Sequence, residues 1–227
     1  MRSEEALGPD FNLSHYLEAR QTSIDIVQEV AHALTPGITE VEAHELCKET
    51  FKRYGISKLW HPTKIRFGKN TLCTFREESA PGVRLGMGEL FYLDIGPVVA
   101  GHEGDYGEGF RCGGGSDPLI AQSRELFNYT EQIWKSEKLT GPALYQRASS
   151  RAQEMGLYLD IRSGGHRLGD FPHAIHHKGK LIDFPAGPMP GVWILEIHLV
   201  DIERERAIFF EDVLGIEDLK ASLPNPL

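Results

Sequence analysis

The sequence predicts an α+β domain made of two similar halves, with a site between them. The first observation is a pair of acids in each half. Asp94 lies inside the apolar strand LFYLDIG, and Asp105 follows eleven residues later. Glu196 lies inside the apolar strand VWILEIHLVD, and Glu211 follows fifteen residues later. The second observation is that each half has two helical segments ahead of or between its strands. A chance echo is the alternative interpretation.

The first half begins with two predicted helices. Apolar residues at helical spacing run through residues 14–34 and stop at the TPG turn. Thr39 is the expected N-cap of a second helix that runs to about Tyr54, with Gly55 as its C-terminal stop. Residues 60–112 are rich in glycine, β-branched and aromatic residues, which predicts strands joined by tight turns.

The second half repeats this order of helices and strands. Ser116 or Asp117 is the expected cap of an amphipathic helix, and Pro118 fits its first turn. A fourth helix is expected over residues 141–155, and Gly156 ends it. The remaining expected elements are strands at residues 157–161, 192–201 and 207–214, a short helix after Gly215, and a frayed tail, SLPNPL.

The composition is that of an ordinary globular protein. Of its 227 residues, 41% are hydrophobic and 25% are charged, and no low-complexity segment or long linker divides them. The formal charge of −9 argues against a nucleic-acid partner and against binding to an anionic membrane. No segment has a signal-peptide core or approaches membrane-spanning length. Three separated cysteines give no disulfide framework, so we expect a cytoplasmic protein.

The four acids in or beside apolar strands need a partner. Buried carboxylates without a cation repel one another and lose their hydration. Hard divalent cations remove both costs. Several carboxylates with one imidazole suit a pair of Mn, Fe, Co or Zn ions about 3.5–4 Å apart. For each acid taken singly, a basic partner is the alternative, and Arg204 and Arg206 are near Glu211 in the sequence.

The segment RSGGHRLGDFPHAIHH supplies the candidate imidazoles. His166 follows two glycines directly, and His173 lies seven residues later. The glycines allow a tight turn of the backbone that leaves His166 accessible. For one histidine alone, a hydrogen-bonded loop residue is the simpler interpretation. The four acids make a metal site the better one.

Four motifs occur in a fixed order along the chain: LDIGPVVAGHEGDYG, GGHRLGDFPH, WILEIH and AIFFEDVL. In these motifs the chain resembles the methionine aminopeptidase, aminopeptidase P and prolidase family, which shares the pita-bread fold with creatinase. The resemblance covers about residues 13–215. It implies one catalytic domain over residues 1–227, without an additional N-terminal domain. Two pseudo-symmetric halves would surround a curved antiparallel sheet with helices on its outer face.

The resemblance also implies roles for individual residues. The family's five metal ligands fall, in chain order, on Asp94, Asp105, His166, Glu196 and Glu211. Glu196 would also pass a proton to the leaving amine. His173, at the position of the family's second histidine, would donate a hydrogen bond to the substrate carbonyl or to the oxyanion.

One feature of the family is missing. Family peptidases carry a substrate-contacting histidine upstream of the first aspartate, and Phe75 or Arg76 occupies that place here. We expect His61, in the neighbouring WHPTK segment, or Arg76 to hold the end of the substrate. The alternative for Arg76 is a solvated charge beside Glu77 and Glu78.

These inferences predict a dinuclear metal-dependent hydrolase with two Mn, Co, Fe or Zn ions. It would be an aminopeptidase or Xaa-Pro dipeptidase-like metallopeptidase that uses a metal-bridging hydroxide. Two alternatives stay open: hydrolysis of a non-peptide amide or C–N bond in a small metabolite, and a catalytically silent peptide-binding domain. A small-molecule or short-peptide ligand is expected, and family analogy allows a homodimer.

Overall fold

The computed structural model of the chain describes residues 3–222. Its helices are α1 (Leu13–Ala33), α2 (Glu40–Arg53), α3 (Pro118–Glu137), α4 (Gly141–Glu154) and α5 (Ile216–Ser222). Its strands are β1 (Lys64–Phe67), β2 (Leu90–Ile95), β3 (Val98–Val99), β4 (His102–Glu103), β5 (Tyr106–Arg111), β6 (Tyr158–Asp160), β7 (His166–Arg167), β8 (Trp193–Asp201) and β9 (Arg206–Val213). No helix in this range combines the length and apolar character needed to cross a bilayer. The tail beyond residue 222, expected to fray, lies outside the described residues.

Capping residues set the helix ends that the sequence predicts. The side chain of Thr39 accepts a hydrogen bond from the backbone N–H of Glu42 at 3.2 Å, and the Glu42 carboxylate accepts one from the Thr39 N–H at 2.8 Å. Of the two candidate caps of α3, Asp117 is the one used. It accepts from the N–H of Leu119 at 2.9 Å, with Pro118 as the first helical residue.

Seven strands form one antiparallel sheet with the order β1–β2–β5–β9–β8–β6, and β7 also pairs with β8. The short strands β3 and β4 pair with each other outside it. The first half of the chain supplies β1, β2 and β5, and the second half supplies β9, β8 and β6 in mirrored order. The halves meet where β5 pairs with β9. The predicted α+β fold with two similar halves is confirmed.

The helices of both halves pack on one face of the sheet. Successive side chains of a strand point to opposite faces of the sheet. The contacts of β9 identify the face that the helices cover. Phe210 packs against Phe127 of α3, with ring centroids 5.0 Å apart. Asp212 accepts a hydrogen bond from Arg20 of α1 at 2.7 Å. Glu211 lies between these two residues, so its side chain points to the face opposite the helices.

Candidate metal centre

One row of side chains crosses four strands of the sheet. The register pairs Asp94 on β2 with Gly107 on β5. Gly107 pairs in turn with Glu211 on β9, and Glu211 pairs with Glu196 on β8. Residues directly opposite each other in a sheet share a face. Strand register therefore brings together the strand acids that the sequence predicts for the two halves.

Gly107 makes room within this row. A Cβ atom at this position would lie 2.8 Å from Oε1 of Glu211 and 2.6 Å from Cε1 of Phe209. Both distances are shorter than a carbon makes with a non-bonded neighbour. The missing side chain lets the carboxylate of Glu211 lie over β5, between the acids contributed by β2 and β8.

Asp105 and His166 join the row of strand acids and complete the candidate metal-binding group. Asp105 lies directly before β5 and has no exposed surface. His166, on β7, has its Nε2 atom 3.0 Å from Oδ2 of Asp105 and 3.9 Å from Oε1 of Glu196. Its other ring nitrogen, Nδ1, lies 2.7 Å from the carbonyl oxygen of Arg167. An Nδ1–H held by a carbonyl presents Nε2 as the free donor atom, which is typical of metal-binding histidines.

His61 lies at the opposite end of the same group. Its Nε2 atom is 3.3 Å from Oδ1 of Asp105 and 3.5 Å from Oδ1 of Asp94. Its side chain is 9% exposed. The adjacent Trp60 packs against both imidazoles, with its ring centroid 4.3 Å from that of His61 and 4.9 Å from that of His166. His61 therefore contacts the carboxylates of Asp94 and Asp105, and it also lines the cleft above them.

Three buried carboxylate oxygens of the group have no hydrogen bond of acceptable geometry: Oδ1 of Asp94, Oδ2 of Asp105 and Oε1 of Glu211. No Arg or Lys within residues 3–222 forms an ion pair with these acids or with Glu196. The basic residues considered as partners bind elsewhere. Arg206 contacts Asp117 at 2.8 Å and Asp201 at 3.3 Å, and Arg204 contacts Asp201 at 3.8 Å. A divalent cation fits this donor set, because it satisfies several such oxygens at once.

Burial and mutual repulsion make these acids hard to ionise. Burial, reinforced by the charge of Asp105, raises the pKa of Asp94 to about 6. Burial and the charges of Asp105 and Asp94 raise the pKa of Glu211 well above its usual range. Burial also raises the pKa of Glu196. At Asp105 the effect of burial is outweighed by the neighbouring imidazoles of His166 and His61, and the pKa is lowered. A bound cation would favour the ionised form of all four carboxylates.

The acids form the floor of a cleft of about 540 Å³. Its other lining residues include the aromatic Trp60 and Phe75 and the basic Arg76, Arg162 and Lys180. Phe75 and Arg76 thus lie at the cleft, where the family resemblance predicts a substrate-contacting side chain.

Buried Arg66 fixes the loop that carries Phe75 and Arg76. Arg66 is 6% exposed and donates hydrogen bonds to the side chain of Ser79 and to the carbonyl oxygen of Glu77. The loop is therefore held at both its middle and its end.

His173 lies beside the cleft, at the start of the 3-10 turn His173–Ile175. Its Nδ1 atom is 2.7 Å from Oε2 of Glu103, and its backbone N–H donates to Oε1 of Glu103 at 3.0 Å. Its ring stacks on that of His166, with centroids 6.1 Å apart. Sequence reasoning missed Glu103, which is 1% exposed. The signal available was a second acid two residues before Asp105.

Comparison with known proteins places the chain among metallopeptidases. The model of metallopeptidase family M24 matches residues 14–218, a range that includes all five predicted metal ligands. A search of curated proteins found no match. Similar solved structures include the prolidase from Pyrococcus horikoshii, with 16% identity and a TM-score of 0.68. The dipeptidase PepE from Mycobacterium ulcerans has 17% sequence identity to this chain and a TM-score of 0.68. The methionine aminopeptidase from Thermotoga maritima has 15% identity and a TM-score of 0.67.

These similarities cover most of this chain but differ in how much of the other protein they cover. The structural match covers 92% of this chain for the prolidase, 88% for the dipeptidase and 91% for the methionine aminopeptidase. The chain spans 60% of the prolidase and 54% of the dipeptidase, but 92% of the methionine aminopeptidase. At such low identity the likeness establishes the fold, and the predicted pita-bread architecture is confirmed. With the family model matched along most of its length, the chain belongs to metallopeptidase family M24.

Proposed function

We propose that the chain is a dinuclear metal-dependent hydrolase that acts on short peptides, as an aminopeptidase or an Xaa-Pro dipeptidase does. The observation that carries this proposal is the group of buried carboxylates on and beside β2, β5, β9 and β8, in which Asp94, Asp105 and Glu211 each have one oxygen without a hydrogen bond of acceptable geometry. Membership in family M24 supports the same chemistry.

The five residues that would hold the metal combine oxygen and nitrogen donors: Asp94, Asp105, His166, Glu196 and Glu211. Mn, Co, Fe and Zn accept such a mixture. When bound there, two such ions would supply a water molecule of lowered pKa and a Lewis acid for the carbonyl group under attack.

The protein side chains supply orientation and proton transfer. The backbone N–H of Gly165 donates to Oε2 of Glu196 at 2.9 Å, which fixes the carboxylate in the lining of the cleft, with Oε1 3.9 Å from Nε2 of His166. From this position Glu196 is suited to pass a proton to the leaving amine. Glu103 binds Nδ1 of His173, so Nε2 is the nitrogen available to the substrate carbonyl or oxyanion.

Basic residues at the cleft favour a substrate with a carboxylate. Arg162 is engaged by Asp160 at 2.6 Å and by Glu77 at 2.8 Å, and Lys180 donates to the carbonyl oxygen of Arg162. Arg76 makes no ion pair with any residue in the range 3–222 and, like Lys180, is a cation of the lining without a carboxylate partner in that range. Because Glu77 binds Arg162, the charge of Arg76 is available to a substrate. We infer that it contacts a carboxylate near the reacting bond.

Phe75 favours the second candidate, hydrolysis of a non-peptide amide or C–N bond on the same site. Its ring lies 5.6 Å from that of His61 and occupies a place where family peptidases have an imidazole. An apolar ring there removes a polar contact to an ordinary peptide. A catalytically silent peptide binder is disfavoured, because buried acids without a catalytic metal would only destabilise the fold.

A substrate panel tests the proposal. The Mn- or Co-loaded protein is compared on a methionyl tripeptide, an Xaa-Pro dipeptide and several N-acyl amino acids, with Glu211→Gln as the inactive control. We expect weak activity on the methionyl tripeptide and efficient turnover, with kcat/KM of about 10⁴ M⁻¹s⁻¹ or more, on a substrate that carries a carboxylate. Efficient cleavage of the methionyl tripeptide would show that Phe75 and Arg76 do not set specificity. No turnover on any member would count against the proposed activity.

A further inference from the structure

We propose that His61 is a sixth protein ligand of the metal centre and binds the same ion as Asp94. This inference rests on the proposed dinuclear site and extends it beyond the five ligands that the family motifs supply. Under this assignment each ion has one imidazole, with His166 at one end of the centre and His61 at the other.

The donor atoms are close enough to share one cation. Nε2 of His61 lies 3.5 Å from Oδ1 of Asp94 and 3.3 Å from Oδ1 of Asp105. Two donors that each lie about 2.0–2.2 Å from one ion are at most about 4.4 Å apart. Both measured distances fall within this limit. The contact with Asp105 is within hydrogen-bond distance, whereas Oδ1 of Asp94 has no hydrogen-bond partner.

The ring of His61 is oriented as a ligand. Its Nδ1 atom lies 3.0 Å from the carbonyl oxygen of Pro62, which accepts the Nδ1–H. Nε2 is then the nitrogen that faces the two aspartates, and it would supply its lone pair to a bound ion. His166 has the same arrangement, with the Arg167 carbonyl oxygen 2.7 Å from its Nδ1 atom. A carbonyl that fixes the tautomer is the usual support of a metal-bound imidazole.

The surrounding backbone holds His61 in this place. The backbone N–H of Trp60 donates to the carbonyl oxygen of Gly96 at 2.9 Å, and its indole N–H donates to that of Gly104 at 2.9 Å. These contacts tie the loop to the chain on both sides of the β3–β4 hairpin. A Cβ atom on Gly96 would lie 2.1 Å from Cδ2 of His61, so the glycine leaves the space that the imidazole fills.

A substrate-binding role for His61, expected from the sequence, fits these contacts less well. Its side chain is 9% exposed and is flanked by the rings of Trp60 and Phe75. The nitrogen that would contact a substrate points at two carboxylates. A second imidazole also has a chemical consequence. Nitrogen donors suit Zn and Fe better than Mn, so His61 should shift the preference of the centre away from Mn.

Paramagnetic NMR of the Co(II)-loaded protein tests the assignment without relying on activity. A histidine bound to Co(II) through Nε2 gives a strongly shifted, exchangeable Nδ1–H signal. We expect two such signals from the wild-type protein with two Co(II) ions bound, one from His61 and one from His166. His61→Ala should retain one signal and bind one of the two ions at least about tenfold more weakly in a calorimetric titration. His44→Ala, a partly buried histidine on α2, is the matched control and should retain both.

The outcomes separate this inference from the proposed function. Two bound Co(II) ions with one shifted signal, or unchanged affinity for both ions in His61→Ala, would overturn the role of His61 and leave the five-ligand dinuclear site intact. A wild-type protein that binds fewer than two Co(II) ions would reject the dinuclear site itself, and the sixth ligand with it.

Discussion

At the scale of single residues, the chemistry depends on buried acids that no arginine or lysine within residues 3–222 pairs with. Asp94, Asp105 and Glu211 are at most 6% exposed, and each has an oxygen without a hydrogen-bond partner. An isolated buried carboxylate costs several kcal/mol if it stays ionised. Residues this costly to bury are expected where a cation or a reaction needs them.

The first prediction concerns Glu211→Gln. An amide has no negative charge to share between two cations, so the variant should lose the metal pair and the hydrolytic activity. The metal-free variant should be at least as stable as the metal-free wild type, because one of four repelling carboxylates is gone. Metal analysis and calorimetry check this. Full metal content with wild-type turnover would show that Glu211 is not a ligand.

A second prediction concerns the pair formed by Glu103 and His173. His173→Ala should lower kcat about 10²–10³-fold, the usual cost of losing one donor to an oxyanion. Glu103→Gln should lower kcat less, because the amide still contacts Nδ1 but no longer supplies a charged acceptor. Metal content should be unchanged in both variants. A loss of metal in either one would assign the pair to the metal centre instead of to the substrate.

At the scale of elements, the strand register brings acids that are far apart in the sequence next to one another in the sheet. Gly107 is one of the two inner positions of the row, and its strand, β5, pairs with β9 where the two halves meet. An added methyl group there would lie 2.8 Å from Oε1 of Glu211.

We therefore predict that Gly107→Ala destabilises the fold by about 1–3 kcal/mol through overpacking and also weakens metal binding. Gly109→Ala on the same strand is the control. Its Cβ would lie 2.2 Å from the flexible end of the Ile208 side chain, so stability alone should fall. Thermal unfolding and metal titration of both variants test this. Equal metal affinity in Gly107→Ala and the wild type would contradict it.

Local signals explain why the helices could be predicted from the sequence. Thr39, Asp117 and Pro118 act through hydrogen bonds or backbone angles within a few residues, so a short segment contains the whole cause. The acids inside apolar strands could be identified for a similar reason, because a charged residue within an apolar segment is recognisable from that segment alone.

The rest of the site could not be predicted, because it depends on contacts between distant segments. Strands β3, β4 and β7 are two residues long each and have no periodicity to detect. His61 reaches Asp105 because its loop binds Gly96 and Gly104. Glu103 reaches His173 across 70 positions of sequence. No local pattern encodes either contact.

At the scale of the whole molecule, metal binding and folding are coupled through pH. The pKa of Asp94 rises from an ordinary value of 3.8 to about 6 in the fold, and that of Glu211 is raised well above its usual range. Between the ordinary and the raised pKa, these two acids bind more protons in the folded chain than in the unfolded chain. Their contribution to the free energy of unfolding of the metal-free protein therefore falls as the pH rises through this window.

Metal ions bind the ionised carboxylates and reverse this trend. We predict that saturating Mn or Co raises the Tm more at pH 7 than at pH 5, with protons released on binding at pH 5. Glu211→Gln should show a smaller difference between the two pH values. Calorimetry at both pH values measures it. A Tm shift that is equal at both would mean that these acids do not titrate on metal binding.

The most direct test of the central claim is anomalous diffraction from crystals of the Mn- or Co-loaded protein. The dinuclear site predicts two peaks about 3.5–4 Å apart. Both should lie within bonding distance of side chains from the row, with Glu211 shared between them. A single peak, peaks outside the cleft, or peaks that Asp94 and His166 do not contact would contradict the proposed centre.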